Sequence, residues 1–323
     1  MTLGKPIVTV LAAALVTIGA LAGPAAATSN GPVYGGDFPD PSVTVAGGRY
    51  YAFGTGHASN LQVMRSRDLV TWGPVNDPLL RLPGWAAPPW TWAPGVIQRG
   101  ATYVMYYTAH HKDWNQQCIS VATSSSPDGP YRDSSAGPFI CQRSLGGSID
   151  PQPFLAPDGS LYLLWKSDNI AIGQPTALWA EQLTSNGRSM VEPAVKILDM
   201  MAPPSWQGSN FEGPAMVYYP VSDGRAPYFL FYGANAWDSA AAGIGYATCE
   251  SPLGPCTNQS VSGPWLASRG GAQGPSGPAV FVDFAGTLRL AYHAWTGAVG
   301  YPAGNRSLFI DTFGFQADKP VLQ

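Results

Sequence analysis

Asp150-Pro151-Gln-Pro-Phe154 opens a mostly apolar stretch in the middle of the chain, and the same device recurs on both sides of it. Asp40-Pro41-Ser-Val-Thr-Val45 and Ala93-Pro94-Gly-Val-Ile97 precede it, and Gly213-Pro214-Ala-Met-Val217 and Gly277-Pro278-Ala-Val-Phe-Val282 follow. Each time a small or acidic residue stands before Pro, and the five prolines are 53, 57, 63 and 64 residues apart. After each comes a run rich in aromatics: Arg49-Tyr-Tyr-Ala-Phe53, Thr102-Tyr-Val-Met-Tyr-Tyr107, Leu161-Tyr-Leu-Leu-Trp165, Tyr228-Phe-Leu-Phe-Tyr232 and Leu288-Arg-Leu-Ala-Tyr292. A third strand-like run completes each unit, as in Leu61-Gln-Val-Met-Arg-Ser66 and Gly243-Ile-Gly-Tyr-Ala-Thr248. Two units share wording, Ala122-Thr-Ser-Ser-Ser-Pro-Asp-Gly-Pro130 and Ala247-Thr-Cys-Glu-Ser-Pro-Leu-Gly-Pro255, two periods apart.

A period of about 55 to 65 residues carrying three or four short strands is what one blade of a β-propeller requires. The count predicts an all-β chain, a five-bladed β-propeller over residues 28–323, with no separate carbohydrate-binding module after the fifth blade. Pro is tolerated at the first residue of a strand, where no ladder donor is needed. Each X-Pro is therefore expected to start a blade's first strand, which lines the central channel, so that the five starts converge at one end of the axis. A two-sheet sandwich or jelly roll explains alternating strands but not the fivefold recurrence.

Composition agrees. The 323 residues are 45% hydrophobic, 12% aromatic and only 11% charged, which is the reverse of a disordered chain. With 17 basic residues against 20 acidic ones and no basic run, nothing equips the chain to neutralise phosphates, so no nucleic-acid partner is expected. Its 38 Gly and 31 Pro punctuate it too often for a helical protein.

The first 27 residues read as a signal peptide. Lys5 precedes an apolar run from Ile7 to Leu21, and Ala25-Ala26-Ala27 supplies the small residues a signal peptidase needs before Thr28. The run is too short to span a bilayer, which takes about 20 apolar residues. No later stretch is long and apolar enough to cross one, so a secreted protein without a membrane partner is expected, and a monomer. Export permits disulfides, and four cysteines fit two of them. Of the three pairings open to them, Cys249–Cys256 is favoured because the turn-prone segment Glu250-Ser-Pro-Leu-Gly-Pro255 brings its ends together, leaving Cys118–Cys141. A zinc site would call for Cys-x-x-Cys spacing, which is missing.

Two of the five convergent positions hold Asp, at Asp40 and Asp150, and Glu212 stands immediately before Gly213-Pro214. A single Asp before Pro is adequately explained as a turn cap. Three acids at matched repeat positions point to chemistry, because carboxylates brought together raise one another's pKa. Such a set suits a glycosidic bond, where one carboxyl must stay protonated while another stays ionised.

Phe38-Pro-Asp-Pro-Ser42, Trp92-Ala-Pro94, Ser148-Ile-Asp-Pro151 and Phe211-Glu-Gly-Pro214, in this order and at these intervals, resemble glycoside hydrolase family 43. The resemblance covers about Val33 to Phe315. It implies a five-bladed propeller acting on arabinan-, arabinoxylan- or xylan-type glycans, most simply as an α-L-arabinofuranosidase. It implies Asp40 as general base, Glu212 as general acid, and Asp150 as the residue that orients the acid and raises its pKa. It further implies that His293 lies beside a central cation, often Ca2+, held largely through waters, that Arg306 of the last blade reaches the site, and that no organic cofactor is needed. Where many members carry an acid after Trp-Ala-Pro, this chain has Gly95.

The implied mechanism is single displacement with inversion, for which the base and acid lie about 6.5–9.5 Å apart with a water between them. A sugar ring packs its C–H face on an indole, and Trp92 is the first candidate platform, followed by Trp90, Trp165 and Trp237, although most of the 11 Trp should wedge the blades apart. His110-His111 with Asp113 resembles a metal cluster, but adjacent strand residues face opposite ways. The competing function is a propeller that binds glycans without cutting them, which gains nothing from grouped carboxylates. Fructan-cleaving propellers usually show Asn-Asp-Pro-Asn where this chain has Pro39-Asp-Pro-Ser42.

Overall fold

The structure, a computed structural model, describes residues 31–57, 59–200, 205–222 and 227–323, and the expected signal peptide lies outside them. Five antiparallel sheets follow one another along the chain, each strand pairing with the next in sequence. Blade I comprises Ser42–Ala46, Arg49–Thr55, Leu61–Ser66 and Gly73–Pro74. Blade II has three strands, Ala86–Arg99, Thr102–His111 and Gln116–Ser124. Blade III is Ser148–Leu155, Leu161–Ser167, Ala177–Leu183 and Val195–Asp199. Blade IV is Phe211–Tyr218, Tyr228–Ala234, Gly243–Cys249 and Cys256–Asn258. Blade V is Gln273–Val282, Leu288–Gly297, Gly304–Gln316 and Lys319–Leu322. Ser42, Val96, Gln152, Ala215 and Ala279, one from each first strand, surround a common axial cavity, so the first strands are innermost.

The aromatic runs explain why the blades pack as a ring. They form the second strands, whose large side chains reach into the gaps between blades. Each of the five interfaces holds one apolar cluster. Phe53 and Tyr107 meet between blades I and II, and Trp165 and Tyr106 between II and III. Phe211 and Leu164 meet between III and IV, Phe231 and Tyr292 between IV and V, and Phe38 and Ala291 between V and I. Burying rings of this size supplies most of the drive to close the circle. Closure is completed by the segment ahead of blade I: the Val33 amide donates to the Leu308 carbonyl at 2.9 Å and the Phe38 amide to the Arg306 carbonyl at 2.8 Å.

The structure corrects one expectation about the X-Pro pairs. Only in blade I does the pair precede the first strand; elsewhere it lies inside it. The register slips between Trp92 and Gly95, Ile149 and Gln152, Glu212 and Ala215, and Ser276 and Ala279. These are β-bulges, the other place where a strand accepts Pro, because the extra residue is already out of the ladder. All five residues before Pro have positive φ: Asp40 53°, Ala93 45°, Asp150 58°, Gly213 53° and Gly277 59°. Left-handed backbone is uncommon outside Gly and is tolerated by Asp better than by most residues. The repeat is thus a recurrent kink of the inner strand at one level of the propeller.

Both disulfides form as expected. Cys249 and Cys256 face each other across adjacent strands of blade IV, and Cys118 of blade II bonds to Cys141 in the connection to blade III. No helix among the described residues is long and apolar enough to cross a membrane.

Candidate active site

The five kinks enclose one pocket, open to solvent and lined by Asp40, Ala93, Asp150, Glu212 and Gly277 with their neighbours. Asp40, Asp150 and Glu212, drawn from three blades, therefore face one cavity as the repeat predicts. Their surroundings differ, and the differences decide what each can do.

The Asp40 amide donates to His293 Nδ1 at 3.0 Å, which pins the kink. Its carboxylate accepts the Thr55 hydroxyl at 2.5 Å and lies 3.4 Å from Arg306 Nη1. Burial alone would raise its pKa, but the Arg306 guanidinium and the Thr55 hydrogen bond hold it below the usual carboxylate range. Asp40 is thus ionised at working pH, with a quarter of its side chain open to the pocket. Thr55 Oγ1 also accepts the Ala93 amide at 3.0 Å, tying the first two kinks together.

Asp150 behaves in the opposite way. Burial, together with the charges of Asp40 and Glu212, pushes its pKa up to about 7 against the opposing pull of Lys166 and the Gly213 amide, which donates to Oδ2 at 2.9 Å. The expectation was that Asp150 would raise the acid's pKa by repulsion; the structure places the raised pKa on Asp150 itself. Glu212 is held at both oxygens, Oε1 accepting the Ser276 hydroxyl at 2.7 Å and Oε2 accepting Asn210 Nδ2 at 2.9 Å.

Arg306 reaches the site as expected, and Trp237 lies beside it. The guanidinium sits 5.0 Å from the Trp237 ring and donates to the Tyr301 hydroxyl at 3.1 Å, and Tyr301 in turn donates to Asp37. Trp237 is 41% exposed and is linked to Asp40 through Arg306, which reaches both. Trp92 is half-buried, one residue ahead of the pocket-lining Ala93. Trp90 is exposed, with its ring against His110. Trp165 is a correction: it is completely buried between blades II and III with Nε1 donating to Gln142, so it is a wedge and cannot carry a sugar. The neighbouring histidines part as strand alternation demands, His110 meeting Trp90 and His111 stacking between Trp85 and Trp114.

His293 is buried at the axis, and burial lowers its pKa to about 3, so the ring is neutral. Since Nδ1 accepts the Asp40 amide, the ring proton belongs on Nε2, a buried atom with no partner. A protonated ring nitrogen cannot ligate a cation, and it is a poor neighbour for the waters of a cation, which themselves donate outward. In this tautomer His293 would not ligate a Ca2+ directly. Among the described residues, no group of three or more His, Cys, Asp or Glu side chains could hold a metal ion.

Gly95 explains its own departure from the pattern. A Cβ there would lie 2.5 Å from the Pro151 carbonyl oxygen and 2.6 Å from Pro153 Cδ. Even a methyl group would push on the kink that carries Asp150. Gly95→Ala is expected to destabilise the fold by about 1–3 kcal/mol through overpacking and to lower kcat, read by thermal melting and aryl-glycoside hydrolysis. Sequence reading missed Thr55, Thr108, Lys166, Asn210 and Ser276. Ser276 had a usable signal, since it precedes Gly277-Pro278 as Glu212 precedes Gly213-Pro214. Thr55 and Thr108 likewise sit at or near the ends of the second strands, and the Thr108 hydroxyl accepts the Asp150 amide at 3.1 Å.

Fold and site together are of the kind found in glycoside hydrolases built on a five-bladed propeller. The chain belongs to Glycosyl hydrolases family 43, whose sequence pattern matches residues 29–320. It is similar to an extracellular endo-α-(1→5)-L-arabinanase of Thermotoga petrophila, with 25% identity over 67% of this chain and 50% of that protein. The chain thus spans about half the length of that curated relative. Among solved structures it resembles a thermostable family-43 glycoside hydrolase, with a TM-score of 0.77, 27% identity and coverage of 89% of this chain and 93% of the other. It also resembles an endo-1,4-β-xylanase from Bacteroides thetaiotaomicron, with a TM-score of 0.73, 26% identity and coverage of 90% and 96%.

Proposed function

We propose that this chain is a secreted, inverting glycoside hydrolase that cleaves pentosyl linkages in arabinan-, arabinoxylan- or xylan-type polysaccharide, α-L-arabinofuranosides first. The observation that carries this reading is the asymmetry of carboxyl groups lining one pocket: Asp40 kept ionised beside Arg306, and Asp150 keeping its proton up to about pH 7, with Glu212 held at both oxygens beside them. In this reading the Asp40 carboxylate takes a proton from water as the oxygen attacks the anomeric carbon, and Glu212 gives its proton to the departing glycosidic oxygen. Asp150 keeps its own proton in the same pocket. The Trp237–Arg306 wall packs the sugar. The arabinanase and xylanase names of the relatives support a pentose substrate, and two disulfides behind a leader-like segment support export.

The deciding test is hydrolysis of 4-nitrophenyl α-L-arabinofuranoside, 4-nitrophenyl β-D-xyloside and linear arabinan, with the anomer of the first product followed by NMR. Turnover with the inverted anomer formed first supports the proposal; no turnover of any of the three, or retention, refutes it. A pH effect follows as well. The Asp150 proton is present below about pH 7 and lost above it, so kcat/KM is expected to fall as pH rises through that value. Asp150→Asn removes the carboxyl group whose pKa is raised, so the fall near pH 7 is expected to disappear from the profile.

A further inference from the structure

Lys166 lies near the end of the second strand of blade III, 3% exposed and close enough to act on the charges of both Asp150 and Asp40. The reaction above makes no use of it. Enclosing an ammonium is costly unless its donors are met. Its partners are unequal: Asp168 Oδ1 is 3.8 Å away, whereas Asn210 Oδ1 accepts from Nζ at 2.8 Å. The closer contact is thus to a neutral amide that itself touches Glu212.

That contact has a directional consequence. A carboxamide has two ends of similar shape, one donor and one acceptor, and only its partners decide which way it faces. An ammonium can only donate, so Asn210 must present Oδ1 to Lys166. Nδ2 is then turned to Glu212 Oε2 at 2.9 Å and to the Asn235 carbonyl oxygen at 3.4 Å, both acceptors. The other oxygen, Oε1, meets the Ser276 hydroxyl, which can accept as well as donate. The charged groups around this chain of contacts are Asp168 beside Lys166, Asp150 on the Gly213 amide, and the Asp40–Arg306 pair across the pocket.

We propose that Lys166 is a positioning residue for the proton donor: it fixes the Asn210 amide, which keeps Glu212 Oε2 a bare acceptor and leaves Oε1 to carry the transferable proton. This rests on the reading of Glu212 as general acid. Without Lys166 only the 3.4 Å contact to the Asn235 carbonyl oxygen opposes the amide turning over to present an oxygen to Oε2, and the proton then has two competing positions.

The test compares phenyl and 2,4-dinitrophenyl glycosides of the pentose that the unmodified enzyme hydrolyses. Dinitrophenolate departs without protonation, whereas phenolate needs the acid. Lys166→Met and Asn210→Ala are each expected to lower kcat/KM on the phenyl glycoside by about 10- to 100-fold, the usual cost of losing an outer partner of a reacting group, and on the dinitrophenyl glycoside by less than about threefold. Asn210→Ala removes the same amide while Lys166 keeps Asp168 as its counter-ion, so it keeps the test alive if Lys166→Met does not fold. Equal losses on both substrates, or no loss on either, overturn the proposal when Glu212→Ala itself shows the split. If Glu212→Ala shows no split, the assignment of the acid fails and takes this inference with it.

Discussion

Asp40→Asn is expected to lower kcat by about 10²- to 10⁴-fold, the range for removing a general base, with a lower melting temperature as the buried Arg306 loses its carboxylate partner. The backbone itself accepts the substitution. Asp40 sits at φ 53°, and Asn is among the few residues that accept left-handed backbone readily. Its amide oxygen can still accept the Thr55 hydroxyl, and the main-chain amide still meets His293. What is lost is the negative charge that Arg306 stabilises and that the attacking water needs as a proton acceptor. Hydrolysis of an aryl glycoside, with thermal melting alongside, reads both quantities. Activity near that of the unmodified enzyme would remove Asp40 from the reaction.

Glu212→Gln is expected to lower kcat/KM on a phenyl glycoside by a similar factor, about 10²- to 10⁴-fold, and far less on a dinitrophenyl glycoside. The site accommodates the amide. A Gln carbonyl oxygen can replace Oε2 opposite the Asn210 donor, while its NH₂ faces the Ser276 hydroxyl, which is able to accept. The loss therefore reports the missing proton, not a collapsed pocket. Equal loss on both substrates would instead point to a role in binding or structure.

How much of this was legible beforehand follows from the scale of each signal. The five X-Pro pairs and aromatic runs revealed the ring because a propeller repeats its geometry, and repeated geometry leaves repeated residues. The kink itself was not legible: Pro at the start of a strand and Pro at a bulge read alike until the register is seen. Trp165 misled for a related reason, since a Trp on a second strand has two faces and no local sequence tells which one meets the next blade. Lys166 and Asn210 gave no signal, because their role depends on a contact across 44 residues between blades III and IV. Asp40, Asp150 and Glu212 were found because they sit on the repeat, and Ser276 was overlooked although it sits there too.

The first kink is built from the two ends of the ring. Asp40 is pinned by His293 and faces Arg306, partners 253 and 266 positions away along the chain. Contacts of such separation form late, after most of the loop entropy has been lost. A chain with only the first four blades in place leaves Asp40 without either partner, whatever its other carboxylates are doing. The surroundings that hold Asp40 ionised therefore arrive only with the last turn of the circle.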